Sequence, residues 1–436
     1  MRVLSRDIKD YIDEQIVVKG WLHKKRLLGG ITFINIRDRS GLIQCVVKDE
    51  AEVEKLRGMQ IGTVLTIDAN VKEEKRAPGG AELFDPVITV EVPVTEQPAI
   101  EIDKPIDHKP ENQDTLFENR PLNVRNLDEQ LIFRIRSELN RYLREYLHGE
   151  EFVEIQTPKL IGGATEGGAE IFTLDYFGKE ATLAQSPQLY KQMMVGAFER
   201  VFEVGPAFRA EPSMTTRHLS EASMLDVEIG FIESHDEVLQ VVEKMVYSVL
   251  NRVYDEHSDA LQQLEAPELI LKPDFPRFTV MEVHEMYTKA TGEDTTKEKD
   301  LIPAEERWIC DYSRDELGSE AVFVTEFPIE AMKFYHKVNP ETKNTVLWGD
   351  LLFRGLEIAT CPQREHRPDV LVQQMKDAGV DPDHSIFKYF LEAFKNGLPP
   401  HGGCGFGIDR FVQKTIGLAS VKEATLFPRD INRLTP

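Results

Sequence analysis

Residues 204–228 read VGPAFRAEPSMTTRHLSEASMLDVE, and their charged members are spaced for chemistry on a strand pair. Arg209 and Glu211 are two apart, so on a strand both point to one face. A polar loop over 212–216 leads to Arg217-His218, and the following strand carries Asp226 and Glu228. Such a face suits a nucleotide. Arg209 can bind an oxyanion bidentately, Glu211 can accept from an amino group, and Arg217 can reach a more distal phosphate. A solvated hairpin laced with cross-strand ion pairs would use the same residue types, and for one Arg and one Glu alone it is the commoner outcome.

A second constellation is PPHGGCGFGIDR at 399–410, ahead of a helical pattern. Gly402, Gly403, Gly405 and Gly407 allow close backbone approach to a ligand, and Arg410 falls in the first turn of the helix. Glycine-rich turns are common, and the GxxxxGK[ST] phosphate loop is absent. The loop GGATEGGAE at 162–170 holds two carboxylates; QSPQLYKQ at 185–192 joins amide, hydroxyl and ammonium groups at the start of an amphipathic helix. Either fits an ordinary surface loop or helix cap. QREHR at 363–367 follows Asp350 and Glu357, and alone it fits a charged helix entrance.

The elements that must position these groups fall into two blocks. The first hundred residues predict short strands at 15–22, 31–38, 42–48, 63–72 and 87–94, punctuated by Gly and Pro. Five such strands point to a small closed barrel of the oligonucleotide-binding kind. Residues 96–126, rich in Pro, Asp, Asn and Lys, read as a linker. From 127 a helical period takes over, with Leu131, Ile135, Leu139, Tyr142 and Tyr146 on one face. Strands follow at 152–155, 201–204, 224–232, 322–326, 333–337, 346–353 and 356–359, with helices at 236–254, 369–378, 385–396 and 409–416. Short turns join several strand pairs, which favours an antiparallel sheet flanked by helices over a doubly wound parallel one. The expected class is α+β, with a barrel over 1–100, a hinge over 101–126 and a larger domain over 127–436.

Composition narrows the function classes. No apolar run approaches the roughly 20 residues of a membrane span, and the first residues lack an apolar signal core, so a cytoplasmic protein is expected. Cys45, Cys310, Cys361 and Cys404 are far apart without a CxxC pair, which suits reduced thiols and not a zinc knuckle. A formal charge of −23 argues against nonspecific coating of nucleic acid, although a local basic face can still meet a tRNA.

In this order, the segments resemble the three signature motifs of class II aminoacyl-tRNA synthetases, over essentially the whole chain. The helix and strand ending at Pro158 look like the first motif, a dimer-interface element in that family. Phe208-Arg209-Ala210-Glu211 through Arg217-His218-Leu219 looks like the second, and Gly405-Phe406-Gly407-Ile408-Asp409-Arg410 like the third. The preceding barrel narrows the likeness to the aspartate, asparagine and lysine subgroup. TEGG at 165–168, SPQLYKQ and QREHR resemble its aspartate branch, in the compact archaeal and eukaryotic-like form without a large insertion between the last two motifs.

The resemblance implies an ATP-dependent ligase acting with Mg²⁺, L-aspartate and tRNA-Asp, with tRNA-Asn as a further candidate acceptor, working as a homodimer. It implies that Arg209 bridges the α-carboxylate and α-phosphate, that Glu211 contacts the adenine amino group, and that Arg217 and His218 face the β- and γ-phosphates. Arg410 then meets the γ-phosphate, with Leu219, Glu357 and Gly407 completing the nucleotide site and Asp350, Glu357 and Thr360 holding Mg²⁺. Arg364 and Lys191 would clamp the substrate's side-chain carboxylate, while Glu166, Ser186 and Gln188 surround its amino end. On the barrel, Phe33, Gln44 and Glu82 match positions that meet the anticodon, and the loops at 23–28 and 76–80, with His23 and Pro78, would choose its third base.

One segment departs from the family pattern: Ala359-Thr360-Cys361-Pro362 stands where relatives carry small Ser and Gly residues, and Pro362 stiffens the approach to Arg364. Asparagine specificity is therefore the rival within the enzyme class, and a tRNA-binding paralogue without ligase activity the rival outside it. A paralogue making asparagine from aspartate would be expected to lack the barrel.

Overall fold

Apolar residues alternate with polar ones through the first five strands, and that period of two closes them around a single core. In the computed structural model, which describes residues 2–106, 108–163, 170–212 and 215–436, these strands are β1 (Gln15–Leu28), β2 (Ile31–Asp38), β3 (Gly41–Val47), β4 (Val64–Glu73) and β5 (Ala81–Val92). They form a closed barrel in the order β1-β2-β3-β5-β4. Ile34 and Ile36, Ile43 and Cys45, Leu65 and Ile67, and Leu83 and Ile88 fill it. β5 starts earlier than the sequence predicts because Ala81 and Leu83 are core residues. A helix the sequence reading lacks, α1 (Glu50–Arg57), closes one side with Val53 and Leu56. Its cap is Asp49, whose side chain accepts from the Glu52 amide at 3.1 Å. Gly20 lets β1 cross β2 closely, since a Cβ there would stand 2.4 Å from the Arg37 carbonyl oxygen.

The barrel belongs to a compact unit spanning Met1–Gln130; a second unit spans Leu131–Pro436. Within 96–126, where the sequence shows no periodicity, α2 (Gln113–Glu118) and α3 (Arg120–Asn123) form. Leu116 and Phe117 are buried there, and the Arg120 guanidinium is paired with Glu129 at 3.1 Å.

The second unit begins along α4 (Leu127–Gly149) and is built on an eight-stranded sheet. In chain order its strands are β6 (Val153–Glu154), β10 (Arg200–Phe208), β11 (Glu221–Gly230), β12 (Arg277–Thr279), β13 (Ala321–Thr325), β14 (Trp348–Phe353), β15 (Leu356–Pro362) and β16 (His401–Gly407). Between the first two lie β7 (Leu160–Ile161), β8 (Thr173–Tyr176) and β9 (Lys179–Leu183), a small sheet of their own. The large sheet runs β12-β13-β14-β15-β16-β11-β10-β6. Its outer pairs β12/β13 and β10/β6 are parallel, and its six central strands are antiparallel.

Helices α5 (Gln188–Phe198), α6 (His235–Glu256), α7 (Ser258–Gln263), α8 (Val280–Thr291), α9 (Pro303–Tyr312), α10 (Pro368–Asp377), α11 (Lys388–Lys395) and α12 (Ile408–Ile416) flank the strands. The main core packs α4, α6 and α12 against one face of the sheet, through Leu139, Leu143, Val242, Val246, Phe411 and Val412 on the helices and Leu225, Val227 and Phe406 on the strands. α8 and α9 cover β13 and β14 through Val283, Ile309, Val322 and Val324. The sequence reading does not anticipate these two helices.

Three readings are corrected, the first being the loop at 23–28, which continues β1 to Leu28 and pairs with β2. Residues 333–337 are not a strand: Phe334 and Tyr335 are consecutive and both buried in one cluster with Leu371 and Phe387, which an alternating strand cannot do. The glycine-rich segment near 402 is not a turn but β16, a central strand. Its glycines are needed by the neighbouring strand, since a Cβ on Gly403 would lie 2.0 Å from the Val227 carbonyl oxygen and 2.4 Å from Glu228 Oε2. No described helix is long and apolar enough to cross a membrane.

Candidate active site

Alternation along β11 divides its side chains: Leu225, Val227 and Ile229 enter the main core, and Met224, Asp226 and Glu228 occupy the opposite face. On that face a cleft of about 280 Å³ opens over β10, β11, β15 and β16. Its lining includes Ser186, Gln188, Arg209, Glu211, Arg217, His218, Leu219, Glu357, Thr360, Arg364, Gly407 and Arg410.

The deep end is a buried ionic network. Arg364 donates from Nε and one terminal nitrogen to the two oxygens of Glu228, at 2.9 and 3.1 Å. Lys191 Nζ donates to Asp226 Oδ1 at 2.8 Å and to the Cys404 carbonyl at 2.9 Å, and lies 3.5 Å from Glu228. Arg364, Lys191 and Glu228 are at most 2% exposed. Burial opposes ionisation of Glu228, but Arg364 and then Lys191 outweigh it and hold the carboxyl below its usual range. Arg364 has five N–H groups and Glu228 takes two, so donors remain for an anion in the cleft. Beside this network Gln188 has its amide nitrogen buried without a partner. Buried His401, 3.1 Å from Gln192 Oε1, is pushed down to about 4 by burial and so is neutral.

The outer end is more open and sets Arg209, Arg217 and Arg410 beside Glu211 and Glu357. β10 closes at Phe208, so Arg209 and Glu211 stand just beyond the strand, not on it as predicted. The Arg209 amide still donates to the Ser220 carbonyl at 2.9 Å, which brings the chain back toward β11. The Arg209 side chain is 43% exposed and 3.9 Å from Glu211, too far for a hydrogen bond. His218 lies 3.6 Å from Glu211, and burial lowers its pKa. Arg410 follows the N-cap Gly407 in the first turn of α12 and donates to the Glu357 carbonyl at 2.9 Å and to Glu357 Oε2 at 3.2 Å. The Arg217 guanidinium is hydrogen-bonded to Glu306 of α9.

Between these ends Asp350 and Glu357 approach across adjacent strands, with Asp350 opposite Thr360 in the ladder. Thr360 donates to Glu357 at 3.1 Å and Trp348 Nε1 to Asp350 at 2.6 Å. Burial, reinforced by the Glu357 charge, drives the Asp350 carboxyl well above its ordinary range. Burial also opposes ionisation of Glu357, but Arg410 holds that group below its ordinary range. Two crowded carboxylates and a hydroxyl are the hard oxygen donors that Mg²⁺ takes when phosphates supply the rest, and its charge would relieve the repulsion. The residues therefore fit the ion, although no cluster of three or more His, Cys, Asp or Glu ligands occurs among the described residues.

Lys191 and Asp350 stand behind the lining, joined to it through Asp226 and Thr360. Glu166 lies outside the described residues. Sequence reasoning names Asp226 and Glu228 only as strand charges, yet they are the partners of the buried cations. Two acids spaced by two in the otherwise apolar stretch 224–230 were the available signal. Tyr335, His336 and Trp348 also line the cleft, and no pattern in the sequence marks them. On the barrel, Phe33 is half-buried and outside the core, on the opposite side of β2 from Ile34. Gln44 donates to Glu82 at 2.7 Å, and Lys72 reaches the other Glu82 oxygen at 2.9 Å.

Residues 112–431 match the family described as tRNA synthetases class II (D, K and N), and residues 16–92 match the OB-fold nucleic acid binding domain. The chain is 39% identical to the aspartate–tRNA(Asp/Asn) ligase of Thermus thermophilus over 439 residues, covering 100% of both. It is 38% identical to the aspartate–tRNA(Asp) ligase of Pyrococcus abyssi, covering 97% of this chain and 96% of that protein. The crystal structure of asparaginyl-tRNA synthetase from Pyrococcus horikoshii complexed with asparaginyl-adenylate superposes with a TM-score of 0.90 at 29% identity, covering 98% and 97% of the two chains.

Proposed function

We propose aspartate–tRNA ligase activity for this chain, which belongs to the class II tRNA synthetases of the D, K and N group. The observation that carries the choice of amino acid is Arg364 at the deep end of the cleft, fully buried and giving two of its five N–H groups to Glu228, with Lys191 fixed behind it on Asp226. A carboxylate entering there can accept from the Arg364 donors that Glu228 leaves, whereas an amide would turn N–H groups against them.

Activation is attack by the α-carboxylate oxygen of aspartate on the α-phosphorus of ATP, with cleavage of the bond to the β-phosphate and release of pyrophosphate. The charge that builds on the phosphoryl oxygens must be neutralised while two anions are held in line. In this reading exposed Arg209 bridges the carboxylate and α-phosphate, Glu211 accepts from the adenine amino group, and Arg217, His218 and Arg410 face the outer phosphates beside Leu219 and Gly407. Mg²⁺ bound with ATP would be held by Asp350, Glu357 and Thr360 and would neutralise phosphate charge. Ser186 and Gln188, with Glu166, take the amino end of aspartate. The terminal ribose hydroxyl of tRNA then attacks the activated carbonyl and displaces AMP, so no protein nucleophile is needed.

Outward-facing Phe33 supports a barrel that stacks an anticodon base, with Gln44 and Glu82 reading base edges. A cytoplasmic homodimer belongs to the same reading, supported by the edge strand β6 with exposed Val153 beside the long helix α4. Sedimentation of a monomer at micromolar concentration would remove that part.

The test is ATP–pyrophosphate exchange with aspartate and asparagine separately, followed by charging of tRNA-Asp and tRNA-Asn. Exchange with aspartate and charging of tRNA-Asp are expected. Exchange with asparagine alone would overturn the choice of amino acid, and exchange with neither would overturn the enzyme.

A further inference from the structure

Glu306 stands behind the lining of the cleft's outer end, joined to it through Arg217. It lies on α9, a helix outside the motif-bearing segments, and its side chain is only 13% exposed. It stands close enough to Glu357 to be repelled by it, beside Arg217, Arg410 and Lys414. A carboxylate in a site for phosphates is unfavourable unless it serves one of the cations there.

Its hydrogen bond to the Arg217 guanidinium supplies that service. Arg217 sits in an irregular stretch between β10 and β11, tied at its backbone by the Thr215 hydroxyl, 3.2 Å from its amide, and by Arg410 Nε, 3.4 Å from its carbonyl. A long side chain on such a loop loses much rotamer freedom when it must meet a phosphate. Glu306, fixed on a helix, holds the guanidinium in advance by one terminal nitrogen and leaves its remaining donors for an anion.

We propose that Glu306 is the positioning residue of Arg217, pre-ordering that guanidinium for the outer phosphates of ATP. The inference rests on the assignment of the cleft's outer end to the triphosphate. Glu306→Ala is expected to raise the dissociation constant for MgATP about tenfold, the effect of losing one charge-assisted hydrogen bond. Glu306→Gln, whose amide oxygen still accepts from Arg217, should restore affinity to within about threefold of the parent.

Titration calorimetry of the full chain with MgATP reads this without aspartate, so failure of aspartate-dependent exchange would strike the proposed activity and leave this test standing. In exchange assays the KM for ATP should rise in Glu306→Ala while that for aspartate stays within about twofold. Unchanged or tighter MgATP binding in Glu306→Ala would overturn the proposal. So would equal losses in both variants, or parallel losses for ATP and aspartate with a lowered melting temperature, the mark of a merely structural role.

Discussion

The barrel face and the cleft both carry Lys, Glu and Gln side chains, but the barrel's pairs keep one member in water and the cleft's deep network keeps none there. On the barrel, Glu82 is buried while its partner Lys72 is half in water, and Phe33 is half-exposed. In the cleft, Lys191, Arg364, Asp226 and Glu228 form a network sealed from water on every member. Water screens the first kind of group, so each contact contributes modestly and roughly independently. In the second kind no water can replace a missing partner, so one unmatched charge disables the whole network. A long nucleic acid can sum many modest contacts, whereas a four-carbon amino acid must be recognised by a few contacts that tolerate no mismatch.

The largest expected effect therefore lies at Arg364. Arg364→Ala should lower aspartate-dependent exchange by about three orders of magnitude or more. It should also destabilise the fold by about 3–5 kcal/mol at neutral pH, because Glu228 is left buried with only Lys191 at 3.5 Å. The sign with pH follows from Glu228. In the native network its pKa is depressed, so its contribution is present above the ordinary 4.5 and lost as the pH falls through the lower folded value. Without Arg364, burial is expected to outweigh Lys191 and raise the folded pKa, so the penalty should grow as the pH climbs. Urea midpoints at pH 5 and pH 7.5 check this; an equal penalty at both would show that Glu228 is not the group left unmatched.

A smaller and more selective effect is expected at Phe33. Phe33→Ala should remove about 1–3 kcal/mol from tRNA recognition, read as a fall in kcat/KM for charging, with aspartate-dependent exchange unchanged. Loss of both activities together would place Phe33 in a structural role and erase the contrast between the two regions.

Much of this was legible in the sequence because it depends on local periods. The barrel strands follow from alternation, α4, α6 and α12 from helical spacing, and Arg209, Glu211 and Arg410 from short motifs. Other elements were hidden because local pattern and tertiary demand differ. The glycines of β16 look like a turn until β11 is laid against them, and 333–337 looks like a strand until Phe334 and Tyr335 are both buried.

Residue chemistry and periodicity are properties of short segments, and they mark which residues can bind anions and that two blocks of different architecture carry them. Which charge meets which is a matter of packing. Arg364 finds Glu228 across 136 residues and Arg217 finds Glu306 across 89. Such pairings are set by the order of strands in the sheet and the packing of α9, and no local spacing encodes them.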